Sequence, residues 1–464
     1  MLALCAGLAG CGDEVEPRAL ETPRAPVDSE RATAERNLYA LPAPGSTTAT
    51  PTAAPSPVNE AAPGVVPPDP AEGADTAITD VSAFAAERAT SGSATLETIT
   101  VYGKQELPGV GVPQVRAVLG FDAVAAFRRG ERQAEQGLPR SVFLDLDGVQ
   151  VGRDLSPLVS VHAGGLERIR AFALDDHSAR VSFDLAPNGA YRLFFLTNPY
   201  RVIMDFRVQA PRRPDADGKQ LRTIVLDPGH GGSQDGARAA NGIEESVVVL
   251  AIAQRVKRLL QSKLPGTRIV LTRDRDRTVT LEERSAIANG VDADLFVSIH
   301  LNSTPVAKDR GGVSTYVLDT SNDEQALRLA ARENDAAERD VTDLQRLFAS
   351  LYRKDQVARS LELANAIQRS TLAEGRKQLP ELADRGVQKA LFYVLVGATM
   401  PAVLCEASFL SRPEEAAALA TDTYRDALAE GISEGIVAYA RKAARDRPAP
   451  AASATPGSPA KPGK

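Results

Sequence analysis

The sequence predicts a small all-β sandwich followed by a larger α/β domain, with a mostly parallel sheet flanked by helices, both behind a long disordered tether. Three observations predict this. Residues 94–208 alternate apolar and polar positions in short runs such as "SVFLDLDGV", "ARVSFDL" and "YRVIMDFRV", separated by the turn signals "LDG", "HAGG" and "APNG". After Leu221, strand-like runs alternate with helical ones, the pattern of a parallel sheet with crossover helices. Ahead of both, residues 12–93 are rich in Pro, Ala, Thr, Ser and Glu and cannot bury enough apolar surface to offset the entropy of ordering. The 464 residues leave room for about two or three domains.

The first element is "MLALCAGLAGC", residues 1–11. It resembles the end of a bacterial lipoprotein signal, with "LAGC" as the lipobox and Cys11 as the lipidated residue. No basic region precedes the short apolar stretch, so the expectation is a start codon further upstream. A tether directly after a lipidated cysteine lets a folded domain reach away from a membrane. Gly12, rather than Asp, after Cys11 points to an outer-membrane lipid anchor facing the periplasm of a Gram-negative bacterium. Cys5, Cys11 and Cys405 form no disulfide framework, and no apolar run is long enough for a transmembrane helix. The net charge of −6 argues against nucleic acid as a partner.

The β domain spans 94–208. Its ending, "NPYRVIMDFRV", resembles the AMIN domain, a β-sandwich appended to cell-envelope enzymes, and the resemblance implies a role in localising the chain on peptidoglycan. Its histidines, His162 and His177, lack ligand-spaced partners and read as surface residues. A polar linker, 209–221, contains "PRRPDADGKQ".

The α/β domain is expected over 222–443, followed by a disordered tail, 444–464. Val249, Ile252, Val256, Leu259 and Leu260 recur at helical spacing, and Pro265-Gly266 stops that helix. In open α/β sheets functional groups collect at the carboxyl ends of strands. His230 follows the strand "TIVLD", Glu245 opens the helix "ESVVVLAIA", and His300 ends the strand "LFVSIH". Two imidazoles and a carboxylate are the protein ligands of many catalytic zinc sites, with a fourth position left for water. The chain has four histidines, so half of them fall at these two strand ends. Gly229, Gly231 and Gly232 let backbone approach closely around His230. Glu406 closes the apolar strand in "PAVLCEASFL"; a buried carboxylate there is costly unless used, and beside a zinc-bound water it is suited to general base.

The runs "IVLDPGHGG", "ESVVVLAIAQRVKRLL", "VLTRDRDRTVTLEERSAIAN", "ADLFVSIHLNS", "DRGVQKALFYVL" and "MPAVLCEASFLSRPEE" occur in the order and spacing of the zinc-dependent N-acetylmuramoyl-L-alanine amidases of the Amidase_3 family. The resemblance covers 222–440. It implies one zinc ion per catalytic domain, held by His230, Glu245 and His300, with Glu406 as the catalytic carboxylate. Registering on "LAIA" selects Glu245 over its neighbour Glu244. Two positions depart from the family: Ser246 stands where Lys is usual, and "LCEASFLS" replaces "VETGFLS". Arg273, Arg284 and Asn289 are expected to brace loop and helix. Asp227 is a candidate to orient a ligand, and Asn302 a candidate to line the substrate groove.

Residues 320–380 read as a charged helical insertion. In division-associated family members a helix in this place occludes the zinc until an activator protein displaces it. Glu333 is the candidate plug and Glu338 the second choice, against the alternative of a solvated helix that only packs on the domain. The function so implied is hydrolysis of the amide between the N-acetylmuramic acid lactyl group and L-alanine of the stem peptide, in wall remodelling and daughter-cell separation. The competing readings are a catalytically silent peptidoglycan-binding or activator protein, and a zinc peptidase acting within the stem peptide.

Overall fold

The computed structural model describes residues 94–446 apart from 105–113, 136, 198, 209–220, 305–308, 322 and 336–353. Cys11, the tether, nearly all of the linker, Glu338 and the tail from 447 lie outside the described residues.

Residues 94–208 form two five-stranded sheets. The first runs β5 (Val149–Val151), β1 (Ala94–Tyr102), β2 (Gln114–Phe121), β10 (Tyr200–Val208) and β9 (Gly189–Thr197). The second runs β3 (Ala126–Arg132), β4 (Ser141–Asp147), β8 (Ser178–Leu185), β7 (Leu166–Ala173) and β6 (Leu158–Ala163). Alternation places Leu144, Val181, Ile169, Val202 and Phe206 in one dry layer between them. The opposite face of the first sheet is also apolar: Val118, Phe194, Leu196 and Ile203 join a core with Ala288, Val291 and Phe296 of the α/β domain.

The α/β domain is built on a six-stranded sheet ordered β12 (Arg268–Leu271), β11 (Thr223–Pro228), β13 (Leu295–Asn302), β16 (Ala402–Phe409), β14 (Val313–Leu318) and β15 (Asp384–Ala390). All neighbours are parallel except β14 and β16. Strands β13 and β16 are buried along their whole length, as central parallel strands covered on both faces must be.

Helix α1 (Glu245–Lys263) buries Val248, Val249, Ile252, Val256 and Leu260 against this sheet. Each such side chain contributes about 1.5–3 kcal/mol when fully buried. Helix α2 (Leu281–Gly290) starts at the N-cap Thr280, whose hydroxyl accepts from Glu283 N at 3.2 Å. Helix α3 (Glu324–Glu333) is capped by Asp323 and buries Ala326, Leu329 and Ala330. Helices α4 (Lys354–Gly375), α5 (Pro413–Leu419) and α6 (Asp422–Asp446) complete the domain.

Two expectations need correction here. Residues 320–380 are not one inserted unit: Leu363, Ala364 and Ile367 of α4 are wholly buried in the main core beside Ile432 and Ile436 of α6. The flanking charges Arg359, Glu362 and Arg369 hid a stripe of small and apolar residues in the sequence. Glu406 also does not close its strand, because β16 runs on to Phe409.

Candidate metal centre

Strand β11 ends at Pro228, which has no N–H to continue the ladder, and the chain turns over the edge of β13 with Gly229 N donating to Ile299 O at 3.0 Å. His230 then adopts φ of +54°, a left-handed conformation that a β-carbon disfavours and that Gly231 and Gly232 continue at +112° and +64°. A β-carbon on Gly229 would lie 2.3 Å from the His300 ring, and one on Gly236 would lie 2.6 Å from His230 and 2.7 Å from Glu245. The loop is bare because imidazoles and a carboxylate occupy the space that side chains would need.

Two arginines hold this loop. Arg273 donates to the carbonyls of Pro228 at 3.0 Å, Gly229 at 2.7 Å and Ser246 at 2.8 Å. Arg284, from α2, donates to Pro228 O and His230 O, both at 2.7 Å, and to Asp227 at 2.8 Å. Burial and the neighbouring Arg284 pull the Arg273 guanidinium down to about 10. Asp227 is buried among Thr272, Ser298 and Arg284 and touches neither imidazole, so its link to the site runs through Arg284. Asn289 braces a different segment, donating to Gly397 O and accepting from Thr399 N. Asn302 is buried at the end of β13.

Adjacent strands place His300 level with Glu406, and Glu406 level with Ser314. Glu245, wholly buried in the first turn of α1, accepts from Leu301 N at 3.0 Å and Ala237 N at 2.9 Å. Glu244 stays outside as the residue before the helix and pairs with Arg238. Ser246 fits a closed space, its N–H donating to Asp235 O at 3.1 Å and its carbonyl taking Arg273.

His230 Nε2 lies 3.2 Å from Glu245 Oε1 and 3.1 Å from Glu333 Oε2. His300 Nδ1 lies 3.1 Å from the same Glu245 oxygen and 3.2 Å from the same Glu333 oxygen. Four tetrahedral ligands at roughly 2.0 Å from an ion stand about 3.3 Å apart. Although close together, His230 Nε2 and Glu333 Oε2 make no hydrogen bond, which fits donor atoms aimed at a common centre. These four residues can hold a metal ion. Burial pulls the His230 imidazole down, but the Glu245 and Glu333 carboxylates outweigh it and lift it to about 9. Glu245 moves the other way, to about 2, because the imidazoles outweigh its burial. Both oxygens of Glu406 are buried without a hydrogen-bond partner, and burial with the Glu333 and Glu245 charges pushes its carboxyl up to about 8.

The family described as N-acetylmuramoyl-L-alanine amidase matches residues 224–438. The chain is 36% identical over 238 residues to N-acetylmuramoyl-L-alanine amidase AmiA of Escherichia coli K12, covering 49% of this chain and 79% of that one. The AmiA of Salmonella typhimurium is 36% identical over 227 residues, covering 47% and 76%. The chain belongs to the N-acetylmuramoyl-L-alanine amidase family. Among solved structures, the amidase AmiC2 of Nostoc punctiforme is similar at 31% identity, over 48% of this chain and 98% of that one, with a TM-score of 0.36.

One residue of this amidase-family site went unmarked in the sequence. Arg332, next to Glu333, grips that carboxylate at 2.6 Å and donates to Ser303 O. It reads as one more charge on a polar helix, and only the fold shows that Glu333 turns inward while the exposed Arg332 holds it from outside. Asn334, just after α3, is a second anchor: its amide donates to Leu391 O and accepts from Tyr393 N, both at 2.7 Å.

Proposed function

We propose that this chain is a zinc-dependent N-acetylmuramoyl-L-alanine amidase that releases stem peptides from peptidoglycan. The observation that carries this is a quartet of donor atoms within 4.8 Å of one another, its four imidazole–carboxylate distances 3.1–3.2 Å, with the unpartnered Glu406 carboxylate beside it, in a chain of this family.

His230, Glu245 and His300 would hold the ion, with Arg273, Arg284 and Glu245's own backbone donors fixing their positions. Zinc, when bound, would supply Lewis acidity for the scissile carbonyl and for activation of the attacking water. Glu406 would take a proton from the attacking water and return it to the leaving L-alanine amine. Glu333 occupies the position the water needs. In this reading the described state is a resting one, and a partner that draws α3 outward activates it. The AMIN-like β domain would keep the enzyme at the wall during remodelling and daughter-cell separation. A lipid on Cys11 would keep it at the periplasmic face of the outer membrane. Asn302 would line the groove for substrate.

The test is metal analysis of the purified protein combined with mass analysis of products from purified sacculi. Free lactyl ends with intact stem peptides support the amidase. Cuts within the stem support the peptidase reading, and no product with bound zinc, even after removal of residues 321–352, supports a silent wall-binding protein.

A further inference from the structure

We infer that Arg116, in the β domain, is a positioning residue for the first metal ligand of the α/β domain. This inference rests on the metal-site reading above. Arg116 is 1% exposed. Its guanidinium forks onto Asp205 of β10 at 2.6 and 2.9 Å, and its remaining nitrogen crosses to α2, donating to Ser285 Oγ at 2.7 Å and Glu282 O at 3.3 Å. The next residue before Ser285 is Arg284, whose nitrogens hold Pro228 O and His230 O. One helical residue thus separates the β-domain clamp from the guanidinium that fixes the left-handed His230 backbone.

Three further observations show that the joint is built closely enough to transmit position. Gly290 of α2 meets Gly103, just after β1, so closely that a β-carbon on Gly290 would lie 2.7 Å from Gly103 O. A β-carbon on Gly397 would lie 2.1 Å from an Arg116 nitrogen, and the Gly397 carbonyl accepts from Arg192 of β9 and Asn289 of α2. Arg201 of β10 pairs with Glu282 at the start of α2. Each end of the ten-residue α2 is therefore held by the β domain. A packed element held in one arrangement at both ends carries displacement rather than absorbing it. The β domain is part of the metal site's scaffold, in addition to any wall-targeting role.

The test uses the full chain, stripped of metal and titrated with zinc against a competing chelator, with folding checked by circular dichroism. Arg116→Ala is expected to weaken zinc binding by about tenfold, the usual cost of losing a group that orients a ligand, and to lower kcat while KM stays near wild type. Arg116→Lys recovers part of the loss by keeping a charge against Asp205. Ser285→Ala removes the shorter of the two α2 contacts and leaves Glu282 O; it is expected to weaken zinc binding severalfold, which keeps the test open should Arg116→Ala not fold. Arg180→Ala breaks a part-buried pair with Asp145 on the far sheet, and is expected to lower Tm with zinc affinity unchanged. Folded Arg116→Ala or Ser285→Ala binding zinc as tightly as wild type overturns the inference. A wild type that takes up no zinc overturns the metal reading itself and the clamp with it.

Discussion

Glu333 Oε2 lies 3.1 Å from His230 Nε2 and completes, with Glu245 and His300, a set of donor atoms around one point. The carboxylate comes from the last turn of α3, and Arg332 and Asn334 on either side fasten that turn to Ser303, Leu391 and Tyr393. In the proposed enzyme Glu333 would stand where water must bind, and would have to leave first.

Glu333→Ala is therefore expected to raise basal release of stem peptides by about tenfold, within the usual range of coupling between a site and its effector. The assay is dye release or mass analysis on purified sacculi without any activator. Asn334→Ala should raise it less, because it loosens the end of α3 but leaves the plug. Unchanged rates in both would mean that α3 only packs on the domain.

Glu406→Gln should retain zinc and lose activity by about 10²–10⁴-fold, the usual worth of a positioned acid–base. It should also be the more stable protein when metal-free. The buried Glu406 carboxyl is raised to about 8 from an ordinary 4.5. Its contribution is full below the ordinary value and is lost as pH climbs towards 8, so at pH 7.5 it is a net cost. Glutamine removes that cost, and a rise of about 1–3 kcal/mol is expected. A melting curve of the two metal-free proteins at pH 5 and 7.5 checks it: the difference should be much larger at the higher pH.

Zinc binding should release protons and tighten as pH rises. His230 titrates near 9 in the metal-free protein, raised by Glu245 and Glu333 against its burial, so its proton must be displaced by the ion. That raised imidazole stabilises the metal-free fold below pH 6.5 and ceases to do so as pH passes 9. Glu245, near 2, contributes above about 4.5 and is lost on acidification towards 2. Calorimetric titration at pH 6.5 and 8 in buffers of different ionisation enthalpy measures the proton count; equal affinity at both pH values would falsify this account.

Gly236→Ala should cost more than a loop substitution ordinarily does. The residue has φ of +72°, and its new methyl would press on His230 and Glu245 together. A loss of about 1–3 kcal/mol in stability is expected from the backbone strain, with zinc affinity falling at least about tenfold. Thermal melts and chelator competition read the two effects separately.

Much of the site was legible in the sequence because its chemistry is local to strand ends. Scarce histidines stood at strand ends, His300 directly after an apolar run and His230 just beyond one, and Glu245 opened a helix with clear periodicity. Arg273 and Arg284 were marked as braces, but which carbonyls they hold was not, since that depends on how α2 lies over the loop. The core role of α4 was missed because a buried stripe of Leu363, Ala364 and Ile367 is short and its surroundings are charged.

By itself, then, the sequence determined the two classes of folded domain, their order, and the residue types that can bind a metal and move a proton. Apolar periodicity and turn chemistry act over a few residues, and so they can be read from a few residues. Only the tertiary structure decided that Glu333 turns inward onto His230 and His300, and that Arg116 reaches α2 across 169 positions of chain to Ser285. Both depend on which buried surfaces meet when the β domain and the sheet share one core, and long-range packing of that kind leaves no period in the chain.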